Sequence, residues 1–283
     1  MILAIVGPTG VGKTKLSIEL AKKYNAIIIN CDAMQVYKGL DIGTAKATEE
    51  EKENIKHYLL DIKEVTEEYS AYDFQIDARR IIEENKDKNI IFVGGTGLYL
   101  KSALYDYRFT KEENNKEEYN DLTNEELYKL VQEKDPNTNI HPNNRVRLIR
   151  FLNKKETEKV EPIPLYEHKI IGLTTERETL YDRINKRVDI MVENGLLEEV
   201  KYFYDKDIKT KPLTGGIGYK ELYNYFNNTK TLEEALNDIK QNSRHYAKRQ
   251  YTFFNNQLNV KWFDVDFNNF NNTINEVINY IEK

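Results

Sequence analysis

A single cysteine, Cys31, in a chain of 283 residues has no partner within the molecule, and no Cys/His cluster shows the spacing of a zinc site. An intramolecular disulfide framework and a structural zinc are both excluded, and a reducing cytoplasm is the expected compartment. Surplus positive charge is missing as well: 42 Lys and Arg stand against 47 Asp and Glu, a formal net charge of −5. That excludes a protein that coats nucleic acid through global charge, while leaving room for a local basic patch. Long apolar runs are absent. The apolar start from Met1 to Val6 stops at Gly7-Pro8, too early for the core of a signal peptide, and nothing later approaches the ~20 apolar residues of a membrane span. A soluble, unexported protein with no membrane partner is expected. There is no internal repeat and no low-complexity tract. What remains is 40% hydrophobic and 31% charged, the composition of a globular chain. Its length suits one large α/β domain or a core with a smaller inserted piece.

Three short apolar runs read as buried strands: Ile2 to Val6, Ala26 to Ile29 and Ile90 to Val93. The stretch Lys13 to Tyr24 between the first two carries helical spacing, as does Phe74 to Glu84 before the third. Strands alternating with helices predict a parallel sheet covered by helices, whose ligands gather at the carboxyl ends of the strands. After Phe109 the composition shifts. Residues 112–135 hold nine acidic and three basic side chains, whereas 141–160 hold six basic and two acidic. Both halves are patterned as helices, so 115–167 is expected to be a small helical insertion in a core made of 1–114 and 168–283. A return strand is expected at Lys169 to Leu173, helices at about 175–205, 218–226 and 231–255, a last strand near Val260 to Phe263 and a last helix near 270–282.

The run Gly7-Pro8-Thr9-Gly10-Val11-Gly12-Lys13-Thr14 fits G-x-x-x-x-G-K-[ST] at every position, with a buried strand before it and an amphipathic helix after it. Such a loop turns main-chain N–H groups and a helix N-terminus toward an anion. Gly7, Thr9, Gly10, Gly12, Lys13 and Thr14 are therefore the candidate diphosphate-binding residues, with Lys13 on phosphate oxygens and Thr14 as a ligand of Mg²⁺. A P-loop does not say which bond breaks. A nucleotide kinase or ATPase is the default, yet the strand Ile90 to Val93 ends in Gly94-Gly95-Thr96-Gly97 and lacks the acid of a Walker B strand. Asp32, after the second strand, is the acid placed to face the loop's ligand. It could act as a catalytic base, a ligand of metal-bound water or the cap of a turn.

Taken together, several segments resemble the tRNA dimethylallyltransferases, also called tRNA isopentenyltransferases. They are the P-loop, Cys31-Asp-Ala-Met-Gln-Val-Tyr37, Asp41-Ile-Gly-Thr-Ala-Lys46, His57-Tyr-Leu-Leu-Asp-Ile62, Gly94-Gly-Thr-Gly-Leu-Tyr99, Arg147-Leu-Ile-Arg150, Arg183-Ile-Asn-Lys-Arg187, Gly216-Ile-Gly-Tyr-Lys-Glu221 and Tyr246-Ala-Lys-Arg-Gln250. The matches run in order over about 1–255. The resemblance implies a P-loop NTPase-like α/β fold and transfer of a dimethylallyl group from dimethylallyl diphosphate to the exocyclic amine of adenosine 37, beside the tRNA anticodon. Diphosphate is then the leaving group. Dimethylallyl diphosphate and the tRNA anticodon stem-loop are the implied partners, Mg²⁺ the implied cofactor, and a cytoplasmic monomer the expected form.

By the same resemblance Arg187 stabilises charge growing on the leaving diphosphate. Asp32 takes the proton of an amine whose lone pair is delocalised and so is a poor nucleophile. Thr96 lies between donor and acceptor, with a simple helix N-cap as its alternative. Asp32, Ala33, Met34, Gln35, Thr96, Arg147, Arg150, Gly218, Tyr219 and Lys220 are the implied tRNA contacts, Gln35 toward the flipped adenine. Arg145 beside Arg147 and Arg150, and a second set of Lys240, Arg244, Lys248 and Arg249, suit a phosphate grip or a solvated face. The family's Thr-Trp-Phe-Arg run is Thr252-Phe-Phe-Asn255 here, so one RNA contact is expected to be missing. An adenine-nucleotide isopentenyltransferase, a nucleotide kinase and a non-catalytic RNA-binding switch are the alternatives.

Overall fold

The computed structural model describes residues 1–109, 119, 121–153 and 162–283. Lys154, Lys155 and Lys159 of the basic run lie outside the described residues. The described chain divides into two compact units, Met1–Asp106 with Pro164–Lys283, and Tyr107–Ile163.

In the first unit the order is β1 (Ile2–Val6), α1 (Lys13–Tyr24), β2 (Ala26–Asn30), α2 (Glu49–Lys52), β3 (His57–Tyr58), α3 (Ala71–Glu84), β4 (Asn89–Val93) and α4 (Gly97–Leu104). The second unit contributes α5 (Asn124–Lys134) and α6 (Arg145–Leu152). The first unit then resumes with β5 (His168–Thr174), α7 (Arg177–Glu193), α8 (Leu196–Asp205), α9 (Lys211–Gly215), α10 (Tyr219–Phe226), α11 (Leu232–Gln257), β6 (Lys261–Asp264) and α12 (Phe270–Ile281).

The six strands form one sheet in the order β3-β2-β4-β1-β5-β6, every pair parallel. The inner strands β1, β2 and β4, covered on both faces, bury nearly every position, which is why they read as unbroken apolar runs. Within β1, Leu3 and Ile5 enter one core with Leu16 and Leu20 of α1 and Val277 of α12. Ala4 and Val6 enter the opposite core with Phe74 of α3 and Leu100 of α4. Chain order reverses at β1, which runs between β4 and β5. The crevice beyond the carboxyl ends of β1 and β4 is thus the place where an open α/β sheet takes its ligand. A third core gathers Val36, Tyr37 and Leu40 with Leu196, Val200, Tyr219 and Leu222. It anchors the loop after β2 to the helices that follow β5.

The α/β architecture agrees with the sequence, and three details differ. The helix expected over 175–205 is two, because Gly195 adopts φ 100° and turns the chain between α7 and α8. The two-residue β3 carries no apolar run, yet it pairs with Ile28 and Ile29. The insertion's bounds shift: Tyr107 to Phe109, expected in the core, fall in the second unit, and residues 164–167, expected in the insertion, belong with the sheet unit, where Tyr105 bridges Pro164 and the Leu165 N–H donates to the Leu104 carbonyl at 2.9 Å. In the second unit Leu127 and Val131 of α5 pack on Leu148 and Leu152 of α6. No helix among the described residues is long and apolar enough to cross a membrane.

Candidate active site

The P-loop leaves β1 at Gly7 and ends at Gly12, the N-cap of α1, with φ 97°. A Cβ on Gly12 would stand 2.8 Å from the ring of Phe270, so both the conformation and the space require glycine. With no capping side chain, the first-turn N–H groups of α1 stay open to an anion. Lys13 curls over the loop, and its ammonium donates to the Pro8 carbonyl at 2.7 Å. Burial lowers its pKa to about 7, the charge of Arg187 adds to the fall, and Asp32 opposes it. Thr14 is exposed in the first turn.

Asp32 sits just beyond β2. Its Oδ1 accepts the Met34 N–H at 2.9 Å, so this oxygen caps the local turn, while no hydrogen bond to Oδ2 occurs among the described residues. At the end of β4, a Cβ on Gly94 would fall 2.3 Å from the main chain of Cys31. Only glycine lets the two strand ends approach this closely. Thr96 occupies the N-cap position of α4 without capping it. Its hydroxyl accepts the Ala33 N–H at 3.1 Å instead, and its own N–H donates to the Cys31 carbonyl at 3.0 Å.

Arg187 reaches the P-loop from α7, where Nη1 donates to the Thr9 hydroxyl at 3.3 Å. Burial depresses its pKa, Asp32 and Glu51 oppose that, and Arg183 adds to it; a guanidinium remains charged regardless. One turn earlier, Arg183 donates from Nε to the Gly10 carbonyl at 3.0 Å and stacks on Phe267 at 3.8 Å. Arg187 and Asp32 act electrostatically on Lys13, and Asp32 acts on Arg187 as well. The arrangement gathers two cationic side chains and one carboxylate at the P-loop, a charge pattern that suits a polyanion.

The family described as IPP transferase matches residues 35–257. The chain belongs to the IPP transferase family. The tRNA dimethylallyltransferase of Anoxybacillus flavithermus is 48% identical over 298 residues, spanning 99% of this chain and 96% of that protein. The full-length tRNA isopentenylpyrophosphate transferase of Bacillus halodurans superposes with a TM-score of 0.77 at 43% identity, covering 99% of this chain and 95% of its own. A eukaryotic dimethylallyltransferase acting on tRNA gives a TM-score of 0.81 at 28% identity, covering 98% of this chain and 77% of its own.

In this transferase the residues implied as tRNA contacts fall into distinct settings. Ala33, Met34 and Gln35 form the turn after Asp32, and the Gln35 amide donates to the carbonyls of Thr44 and Ala45 at 3.0 and 3.4 Å. Gly218 has φ 96° and donates its N–H to Glu221 at 2.8 Å. Tyr219 calls for a correction: its side chain is fully buried and its hydroxyl donates to Glu199 at 2.6 Å, so the ring supports the loop and offers RNA no surface. The same Glu199 carboxylate accepts the N–H groups of Asp41, Ile42 and Gly43. Lys220 keeps a partly exposed side chain 3.6 Å from Glu221. In the second unit Arg147 and Arg150 are exposed. The Arg145 guanidinium donates to the carbonyls of Leu122 and Tyr119 at 2.5 and 2.8 Å and ties α6 to those two residues.

Two residues of α11 enter the site although the sequence assigns them no role there. Gln250 joins the P-loop to the turn after β4, and Tyr246 lies against Thr96. A signal exists. Gln250 falls on the buried stripe of Ile239, Ala247 and Phe254, where a polar side chain needs a reason.

Among the described residues no group of three or more His, Cys, Asp or Glu side chains could hold a metal ion. This chemistry fits Mg²⁺ held mainly through a phosphate-bearing substrate, for which the exposed Thr14 would supply the protein's hydroxyl ligand. The depressed pKa of Lys13 has a measurable consequence. Above pH 7 much of the free transferase carries Lys13 neutral, and a bound polyanion restores its charge. Diphosphate binding at pH 8 is therefore expected to take up a fraction of a proton that Lys13→Arg does not, read by calorimetry in buffers of different ionisation enthalpy. Equal uptake by both proteins would contradict the assignment.

Proposed function

We propose that the chain transfers a dimethylallyl group from dimethylallyl diphosphate to the exocyclic amine of adenosine 37 in tRNA, releasing diphosphate. The observation that carries this reading is a complete P-loop whose cationic side chains face Asp32 at the end of β2, while β4 ends in glycines where a Walker B acid would stand. The family membership and the names of the relatives support it.

The reaction follows from that geometry. The amine nitrogen attacks the allylic carbon as its bond to the diphosphate oxygen breaks. Positive charge spreads over the allyl group and negative charge grows on the leaving group. Lys13, Arg187 and the N–H groups of the P-loop meet that negative charge, which stabilises the transition state more than the ground state. When bound, Mg²⁺ would supply further charge beside Thr14. Asp32 accepts the proton through the carboxylate oxygen that does not cap the turn. Thr96, with its hydroxyl fixed by Ala33, lies next to that path.

The acceptor base must leave its stack, at a cost of a few kcal/mol, so contacts elsewhere on the RNA must offset it. Met34, Gln35, Gly218 and Lys220 suit contact near the base, and Arg147, Arg150, Lys248 and Arg249 suit contact with phosphates. Lys240 and Arg244 are already engaged, with Asp189 and Asn185. A protein of net charge −5 has to attract tRNA locally, within a Debye length of ~8 Å at physiological salt. Replacing Arg147 and Arg150 together by Ala is expected to weaken tRNA binding and to flatten its salt dependence by up to ~0.9 per lost contact. Donor affinity should stay the same. Titrations of both proteins over a salt series check this, and superimposable plots would make the run a solvated face.

The cytoplasm, where unmodified tRNA occurs, is the proposed location, and the monomer the proposed form. The function is tested with two anticodon stem-loops, one carrying adenosine and the other guanosine at position 37, incubated with labelled donor. Label is expected on the adenosine RNA alone; label on both or on neither would overturn the reading.

A further inference from the structure

We propose that Gln250, with Tyr246 one turn earlier on α11, is a positioning residue that keeps the donor loop and the acceptor loop in register for transfer. The inference rests on the dimethylallyl-transfer reading above.

Gln250 is buried, 4% exposed, and its amide bridges two loops far apart in sequence. Oε1 accepts the Thr9 N–H of the P-loop at 3.0 Å, and Nε2 donates to the Gly95 carbonyl at 3.1 Å. One acceptor and one donor are needed in a single side chain, a demand that Glu meets by half and Met not at all. A Cβ on Gly95 would stand 2.0 Å from Nε2, so the turn after β4 presses directly on the amide.

Tyr246 extends the bridge. Its phenol lies near the side chains of Thr96 and Gln250, and burial, reinforced by Asp32, raises its pKa and keeps it neutral. Thr96 already accepts the Ala33 N–H, which leaves the hydroxyl proton of Thr96 for another partner. A continuous set of contacts therefore runs from Thr9, beside the diphosphate, through Gln250 and Tyr246 to Thr96 and the turn that carries Asp32. The sheet fixes the ends of β1 and β4, as in the Gly94 N–H bond to the Ile5 carbonyl at 3.3 Å. Beyond those ends no strand pairing joins the two loops among the described residues, and Gln250 joins them.

Register matters because in-line transfer tolerates little error. A 1 Å misplacement of reacting groups can cost ~10²-fold in rate. Packing alone gives no reason for an amide at this point of the α11 stripe, whose other buried members include Ile239, Ala247 and Phe254.

The test uses the full chain, dimethylallyl diphosphate and unmodified tRNA, with the dissociation constant of each substrate measured separately from the single-turnover rate at saturation. Gln250→Met is expected to lower the saturated rate about tenfold while both dissociation constants change less than about threefold. In a Thr96→Ala background the same substitution should cost less than about threefold, because part of its effect passes through Thr96. Should Gln250→Met fail to fold, Gln250→Glu, which keeps the acceptor for the Thr9 N–H, is judged by the same criteria. An unchanged saturated rate, a loss confined to the dissociation constants, or an equal cost in both backgrounds would overturn the proposal. A wild-type control without modified adenosine would overturn the transfer reading and this inference with it, whereas product from wild type and variant at equal rates overturns the inference alone.

Discussion

Asp32→Asn is expected to lower the single-turnover rate of transfer by roughly 10²- to 10⁴-fold, the scale of losing a general base. Fold and tRNA affinity should persist, because the asparagine oxygen can still accept the Met34 N–H that Oδ1 accepts now. The remaining amide cannot take the proton of the attacking amine. One secondary effect has to be separated: Asp32 raises the pKa of Lys13, which is about 7, so the substitution moves that value lower still. Measured well below pH 7, where Lys13 is charged in both proteins, the rate loss should remain. A loss that vanishes there would make Asp32 a partner of Lys13 and no base.

Arg187→Ala is expected to reduce kcat by about 10²- to 10³-fold, the range for removing a group aimed at transition-state charge. Donor affinity should fall much less, since the charge on the leaving group grows only as the carbon–oxygen bond breaks. The guanidinium touches the P-loop through the Thr9 hydroxyl, and Lys13 and the loop N–H groups remain to bind the ground state. Rates at saturating donor and a separate donor titration check the split. A loss confined to affinity would make Arg187 a ground-state binder.

Asp32 and the P-loop are legible in the sequence because each belongs to a contiguous signal, an acid just after an apolar strand and a single run of eight residues. Arg187 has no such local signal, since an arginine on a long helix reads equally well as a solvated charge. The sheet is legible because its inner strands, buried on both faces, are apolar at nearly every position. Two-residue β3 has no such run, and a helix break at Gly195 is invisible to periodicity that continues on either side of it. Motif membership also does not separate contact from support. Tyr219 lies in a segment that suggests RNA binding, yet its ring is in the core and its hydroxyl goes to Glu199. Arg145 reads in sequence as one of a basic run, yet in the fold it holds main-chain carbonyls. Gln250 stands 241 residues from Thr9 and 155 from Gly95, a relation that no local pattern encodes.

The central claim is that this P-loop serves an allylic diphosphate and that the bond broken is carbon–oxygen. Offering the chain unmodified tRNA, dimethylallyl diphosphate and ATP together, then analysing nucleosides and phosphates from one reaction, tests it most directly. The account predicts dimethylallyl-modified adenosine at position 37, one diphosphate released for each modified base, and ATP unchanged. Formation of ADP or orthophosphate with adenosine 37 left unmodified would contradict it.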